Sequence, residues 1–176
     1  NGSSTGPSVT LGFAPAFLVI KRSDSSQGWN IWDNVRDNTN PNNTILEAHD
    51  SPTEVSHSNY DIDFTATGFQ IKSTYAGTNA SGGTYIYMAF AGGMDSISDY
   101  NDTGSIDSRV KANTTYGQSI VSYEGNFTGG ATVGHGLSSA PEMIIPCPAR
   151  IYGRFAPLIN FAAASTCSAL GSTRGL

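Results

Sequence analysis

Apolar and polar residues alternate along most of this chain in short runs with a period of two. Residues 16–22 put Phe17, Val19 and Lys21 on one face and Leu18, Ile20 and Arg22 on the other. A run that is apolar on both faces until its end predicts an inner strand of a layered sheet. Residues 28–33 alternate again, with Trp29 and Ile31 on one face and Asn30 and Trp32 on the other. A short strand is predicted at 44–47. A hairpin is predicted from 61–65 and 68–73 across Ala66-Thr67, with Ile62/Phe64 and Phe69/Ile71 as inward pairs. Residues 82–91 give the clearest strand, where Tyr85, Tyr87 and Ala89 alternate with Ile86, Met88 and Phe90. The strand signal resumes at 118–123, 131–133 and 142–145. Segment 34–43, dense in Asn and Asp, and segment 49–59 read as surface loops. No segment sustains a helical stripe, and the one helix candidate is 161–169 in the tail. Short strands separated by turn residues predict an all-β fold, a jelly-roll-like antiparallel β-sandwich.

One phrase occurs twice. Leu11-Gly-Phe-Ala-Pro-Ala-Phe-Leu-Val-Ile and Gly136-Leu-Ser-Ser-Ala-Pro-Glu-Met-Ile-Ile both run from glycine through an apolar residue, a spacer, proline and one residue into a β-run. Each follows a Gly/Thr-rich lead. A strand-like stretch at 118–124 precedes the second copy, whereas the first copy begins where such a stretch should end. This organisation suggests a modular, repetitive protein. Residues 1–91 read as a β-sandwich module lacking its first strand, and 92–117 as a linker or long loop. Residues 118–145 read as the opening strands of a second repeat, and 146–176 as an atypical tail. Ile120 and Tyr123 become candidates for an assembly strand that completes the sandwich of residues 8–91, either within the chain or in a neighbouring subunit.

Composition narrows the partners. The 176 residues carry a net charge of −5 with only nine Lys and Arg, which form no cluster. That argues against a nucleic-acid partner. No apolar run approaches the roughly 18 residues of a spanning helix, so membrane insertion is not expected. Cys147 and Cys167 either close one loop or stand as two free thiols.

The candidate chemistry is thin. His49, His57 and His135 lack metal-ligand spacing, so no metal or other cofactor is expected. Asp99, Asn101 and Asp102 open like a calcium loop, but the pattern fails at Thr103 and Val110, leaving an incomplete site. Asp61 and Asp63 flank Ile62 on one side, as a glycosidase carboxylate pair or a solvent-facing edge would. Exposed aromatic rings beside Asn and Asp suit sugar stacking. Trp32, Asn30 and Tyr60 are the expected glycan-binding residues, with Trp29 assigned to the core.

The run Gly12 to Arg22, Trp29-Asn-Ile-Trp-Asp33 with Arg36, Ile62-Asp-Phe64, Gly68 to Lys72 and Asn79 to Ala91 together resemble a domain of marine bacteriophage structural proteins. Such domains occur in tail-fibre-like or virion-associated proteins, often in tandem, and look like concanavalin-type jelly rolls. Residues 118–145 resemble the opening of the next unit. The resemblance implies a non-enzymatic structural module at a virion surface, outside the cell, with no catalytic residues. It implies a homo-oligomer whose partners are copies of itself or other virion proteins. A carbohydrate-binding module contacting host-surface glycans is the alternative expectation, and a polysaccharide lyase or glycosidase a more distant one. Past Ile145 the chain leaves the pattern, reading Pro146-Cys-Pro-Ala-Arg into an Ala/Ser-rich tail. That suits either a specialised extension or a sequence out of its natural frame.

Overall fold

In a computed structural model, residues 2–49, 53–92, 99–146 and 156–161 are described, with Pro146 and 156–161 described by their backbone alone. The fold is all-β and antiparallel. The chain divides into two compact units, Asn1–Ile97 and Ser98–Leu176.

The first unit holds two sheets. One has the order β1-β7-β6, formed by β1 (Ser8–Thr10), β6 (Ile62–Thr65) and β7 (Gly68–Ile71). The other has the order β5-β4-β3-β2-β8. Its members are β2 (Pro15–Arg22), β3 (Trp29–Asp33), β4 (Thr44–Glu47), β5 (Val55–Ser56) and β8 (Tyr85–Ala91). A four-residue helix, α1 (Ala76–Asn79), precedes β8.

The core lies between the two sheets. Leu18 and Ile20 from β2, Trp32 from β3 and Ile45 from β4 meet Ile62 and Phe64 from β6 and Phe69 and Ile71 from β7. Alternation dictates this set, because every second residue of each strand points to the same layer. The opposite face of the larger sheet is apolar too. Phe17, Val19, Ile31 and Leu46 are all buried there, as the doubly apolar run of β2 requires. The register places Val19 between Ile31 and Met88, and Lys21 between Trp29 and Ile86.

The asparagine-rich segment 34–43 is not a free surface loop. Asn40 Nδ2 donates to Phe64 O at 2.9 Å, and its Oδ1 accepts from Phe64 N at 2.9 Å, so one side chain pairs with β6 as a strand would. The fully buried Asn42 donates to Asp33 O and Asp37 O. Asn79, nearly fully buried, accepts from Gly2 N and donates to Ser3 O and Ser73 O. An amide carries both donors and an acceptor, so it can satisfy loop backbone groups that have no ladder partner.

The second unit carries one sheet of order β12-β13-β11-β10-β9. Its strands are β9 (Asp99–Asn101), β10 (Ser108–Asn113), β11 (Gln118–Tyr123), β12 (Met143–Pro146) and β13 (Ala156–Phe161). Two expectations change here. Segment 92–117 is more than a linker: residues 99–113 supply two strands, and Ser108, Val110 and Lys111 are buried. The assembly role expected of Ile120 and Tyr123 fails within the chain. Ile120 pairs with Lys111 and Ile159, and Tyr123 with Ser108 and Ala156. Both edges of β11 are therefore used by its own unit, and neither residue pairs with a strand of residues 8–91.

The two copies of the repeated phrase share a local conformation. Gly12 and Gly136 both have positive φ, 83° and 69°, where a Cβ would be strained. Val9 and Val133, each three residues earlier, both pair with another segment. A strand follows each phrase, β2 in one unit and β12 in the other. Phe161 ends β13, so the tail helix expected from 161 does not begin there. The rest of that candidate, with Cys147 and Cys167, lies outside the described residues.

Candidate functional site

The expected glycan platform of the first unit is core. Trp32 has 0% exposure, and its Nε1 donates to Tyr60 O at 2.9 Å. Asn30 is equally buried. Tyr60 is half-buried and packs edge-on against Tyr75, with ring centroids 4.9 Å apart. The structure thus brings Trp32 and Tyr60 together, but as packing, and no sugar ring can reach either Trp32 or Asn30. Both faces of β3 are buried past its first residue, so alternation did not separate an inside from an outside. Trp29, at the strand's start, is the exposed tryptophan at 41%. Its backbone N–H donates to His49 Nδ1 at 3.2 Å.

The charged groups nearby are structural. Asp33 Oδ1 accepts from Val35 N and Arg36 N, and Oδ2 accepts from Arg36 Nε at 2.5 Å. Arg36 Nη1 reaches Glu54 at 2.6 Å. Burial works to lower the Arg36 pKa, but the Asp33 and Glu54 charges outweigh it and hold the guanidinium above its ordinary value. Asp63 pairs with Lys72 at 3.4 Å. Asp61 is raised above the ordinary carboxylate value, first by desolvation and then by the Asp63 charge, with His57 opposing. Its buried Oδ1 has no hydrogen-bond partner among the described residues.

The incomplete calcium loop does not assemble. Asp99 and Asn101 lie within β9, and Asn101 Oδ1 accepts from Thr103 N at 2.9 Å. Strand pairing to β10 holds these residues extended instead of wrapping them around an ion. Among the described residues, no three His, Cys, Asp or Glu gather as a metal set.

A groove of about 600 Å³ opens in the second unit, lined by Tyr100, Ser105–Arg109 and Glu124–Asn126. Its geometry follows from the β9–β10 register. Tyr100 stands directly opposite Arg109, and the guanidinium lies 5.8 Å from the ring centroid, within cation–π range. The Tyr100 hydroxyl donates to Asp107 Oδ2 at 2.5 Å, which raises the phenol pKa. Ser105 and Thr132 exchange hydrogen bonds that fix the groove's rim. Tyr100 remains 59% exposed. An aromatic ring, two carboxylates, a guanidinium and an asparagine amide around one open groove suit a polyhydroxylated ligand. The sequence reading missed the groove because it treated 92–117 as a linker.

The described residues define an all-β antiparallel module, a class marked by fold and by a polar, aromatic groove. The chain belongs to the domain family of unknown function DUF7483, whose sequence model matches residues 1–93 and 95–151. No curated protein and no solved structure matches the chain.

Proposed function

We propose that this chain is a non-enzymatic structural module of a virion-surface assembly, such as a phage fibre or tail, working outside the cell beside copies of itself or other virion proteins. The observation that carries the reading is modularity. Two successive family matches meet between residues 93 and 95, beside the boundary of the compact units at Ile97/Ser98. Serial β-units suit an extended assembly in which each unit contributes length and surface. The resemblance to marine phage structural domains supplies the virion setting. The test is mass spectrometry of density-banded virus particles from material that encodes the chain. Its peptides are expected in the particle band, and their confinement to the cellular fraction overturns the reading.

The groove at Tyr100 favours a second reading, glycan binding at a host surface. Under it, glycan-array binding by the whole chain falls at least about tenfold on Tyr100→Ala, the scale of one lost stacking contact. Undiminished binding by that variant removes the groove from consideration. Glycan turnover by the wild-type chain would instead point to a lyase or glycosidase.

A further inference from the structure

We infer that β8 carries the contact surface for a second copy of this chain, the two β8 edges pairing antiparallel about Tyr87. β8 ends its sheet and pairs with β2. Over residues 85–89 its other edge faces no strand among the described residues. Ile86, Tyr87 and Met88 are each about half exposed, at 51%, 48% and 45%. The run Tyr-Ile-Tyr-Met-Ala holds no charge and no proline, so it lacks the guards that proteins place on open sheet edges. Each of the other strands that end a described sheet is guarded. β5 has two residues and β1 three. β6 carries Asp63, and Asn40 and Asn42 bond along its outer side. β9 carries Asp99, and β12 ends in Pro146.

The occupant follows from the strand itself. Among the described residues no other strand offers a long, uncharged, open edge, so the complement to β8 is another β8. A two-fold axis normal to the sheet keeps the faces of both copies on the same sides. With Tyr87 on that axis, Ile86 of one copy stands opposite Met88 of the other, and Tyr85 opposite Ala89. Each facing pair is uncharged, which matters for chains that carry −5 each and repel overall. Ile86 and Met88 lie beside Lys21 and Val19 of β2. The new pairs therefore extend the apolar face already formed by Phe17, Val19 and Ile31. The pairing also closes. Five strands from each copy form one sheet that ends at β5 on both sides, too short to add more. A self-complementary contact of this kind stops at a dimer instead of running on into a fibre. The inference rests on this edge and not on the virion setting.

Sedimentation equilibrium of the full chain is expected to give the mass of two chains. Met88→Lys, which sets a lysine against Ile86, is expected to give the mass of one. Circular dichroism checks that this variant folds, and if it does not, a cysteine pair decides alone. That pair is made in chains carrying Cys147→Ser and Cys167→Ser. Tyr87→Cys sets two thiols directly opposite each other, within the roughly 4.4–6.8 Å between Cα atoms that a disulfide spans. Ile86→Cys sets its thiols on a diagonal of roughly 7–8 Å. On oxidation Tyr87→Cys is expected to form a covalent dimer at least about tenfold faster than Ile86→Cys, because only directly opposed residues suit the bond. A single-chain mass for the wild type at every concentration overturns the inference. A folded Met88→Lys chain that dimerises as strongly as wild type does so too, as does equal cross-linking by the two cysteine variants.

Discussion

Trp29 and Trp32 lie three residues apart on one strand and have opposite fates. Trp32 is enclosed by both sheets and has its indole N–H satisfied. Trp32→Ala should therefore cost about 3–5 kcal/mol of stability, the range for emptying a large core site, read by urea denaturation. Trp29→Ala should cost much less, because its ring is already partly in water. The sequence alone could not rank the two. The alternation showed which residues share a face but not that both faces of this sheet are covered. Asparagines were equally opaque: Asn42 and Asn79 sit in glycosylation-type triplets, yet each is enclosed and bonded to backbone. Asn79→Ala should cost about 1–3 kcal/mol, the scale of leaving buried backbone groups unpaired, measured the same way. Asp61 gives a pH signature. Its pKa is raised on folding, so between the ordinary aspartate value and the raised one the folded state holds the extra proton. Stability from this group then falls as pH rises through that window. Asp61→Asn should stabilise the chain at neutral pH, and the gain should disappear in acid below the ordinary aspartate value. A gain that persists there would assign the effect to packing instead of ionisation.

At the scale of elements, the hairpin of β6 and β7 was the most legible part. Its inward pairs Ile62/Ile71 and Phe64/Phe69 are cross-strand neighbours in the observed register. The turn beside it depends on a glycine for space. A Cβ on Gly68 would come within 1.9 Å of Val9 O. Gly68→Ala should thus push β1 off β7 and cost about 1–3 kcal/mol, as overpacking does. Hydrogen exchange should quicken at Leu11 and Gly12, whose N–H groups bond Thr67 O. Unaltered exchange there would mean β1 is held by something other than this close approach. β9 and β10 were illegible for a different reason. In β10 the buried positions include Ser108 and Lys111, so a polarity pattern could not mark its inner face. Only the long-range pairing with β11 reveals the strand, and the groove at Tyr100 went unread with it.

For the whole molecule, charge and the β8 edge act together. The chain carries −5 at pH 7 and a pI near 4.9. Near that pH the net repulsion between copies vanishes, and an unguarded apolar edge is the surface most ready to associate. Light scattering should rise as pH falls from 7.5 toward the pI, and Met88→Lys should suppress the rise. Equal scattering from that variant would locate the association elsewhere. The family match falls in two segments, residues 1–93 and 95–151, that divide close to the boundary of the compact units. The Asn79 amide then has a mechanical meaning. By gripping Gly2 and Ser3 it ties the entry of the first unit to a residue 76–77 positions along the chain. Under the assembly role proposed above, pull on Gly2 and Ser3 would be shared with the turn before β8 through these side-chain bonds, while the hydrophobic layers stay closed.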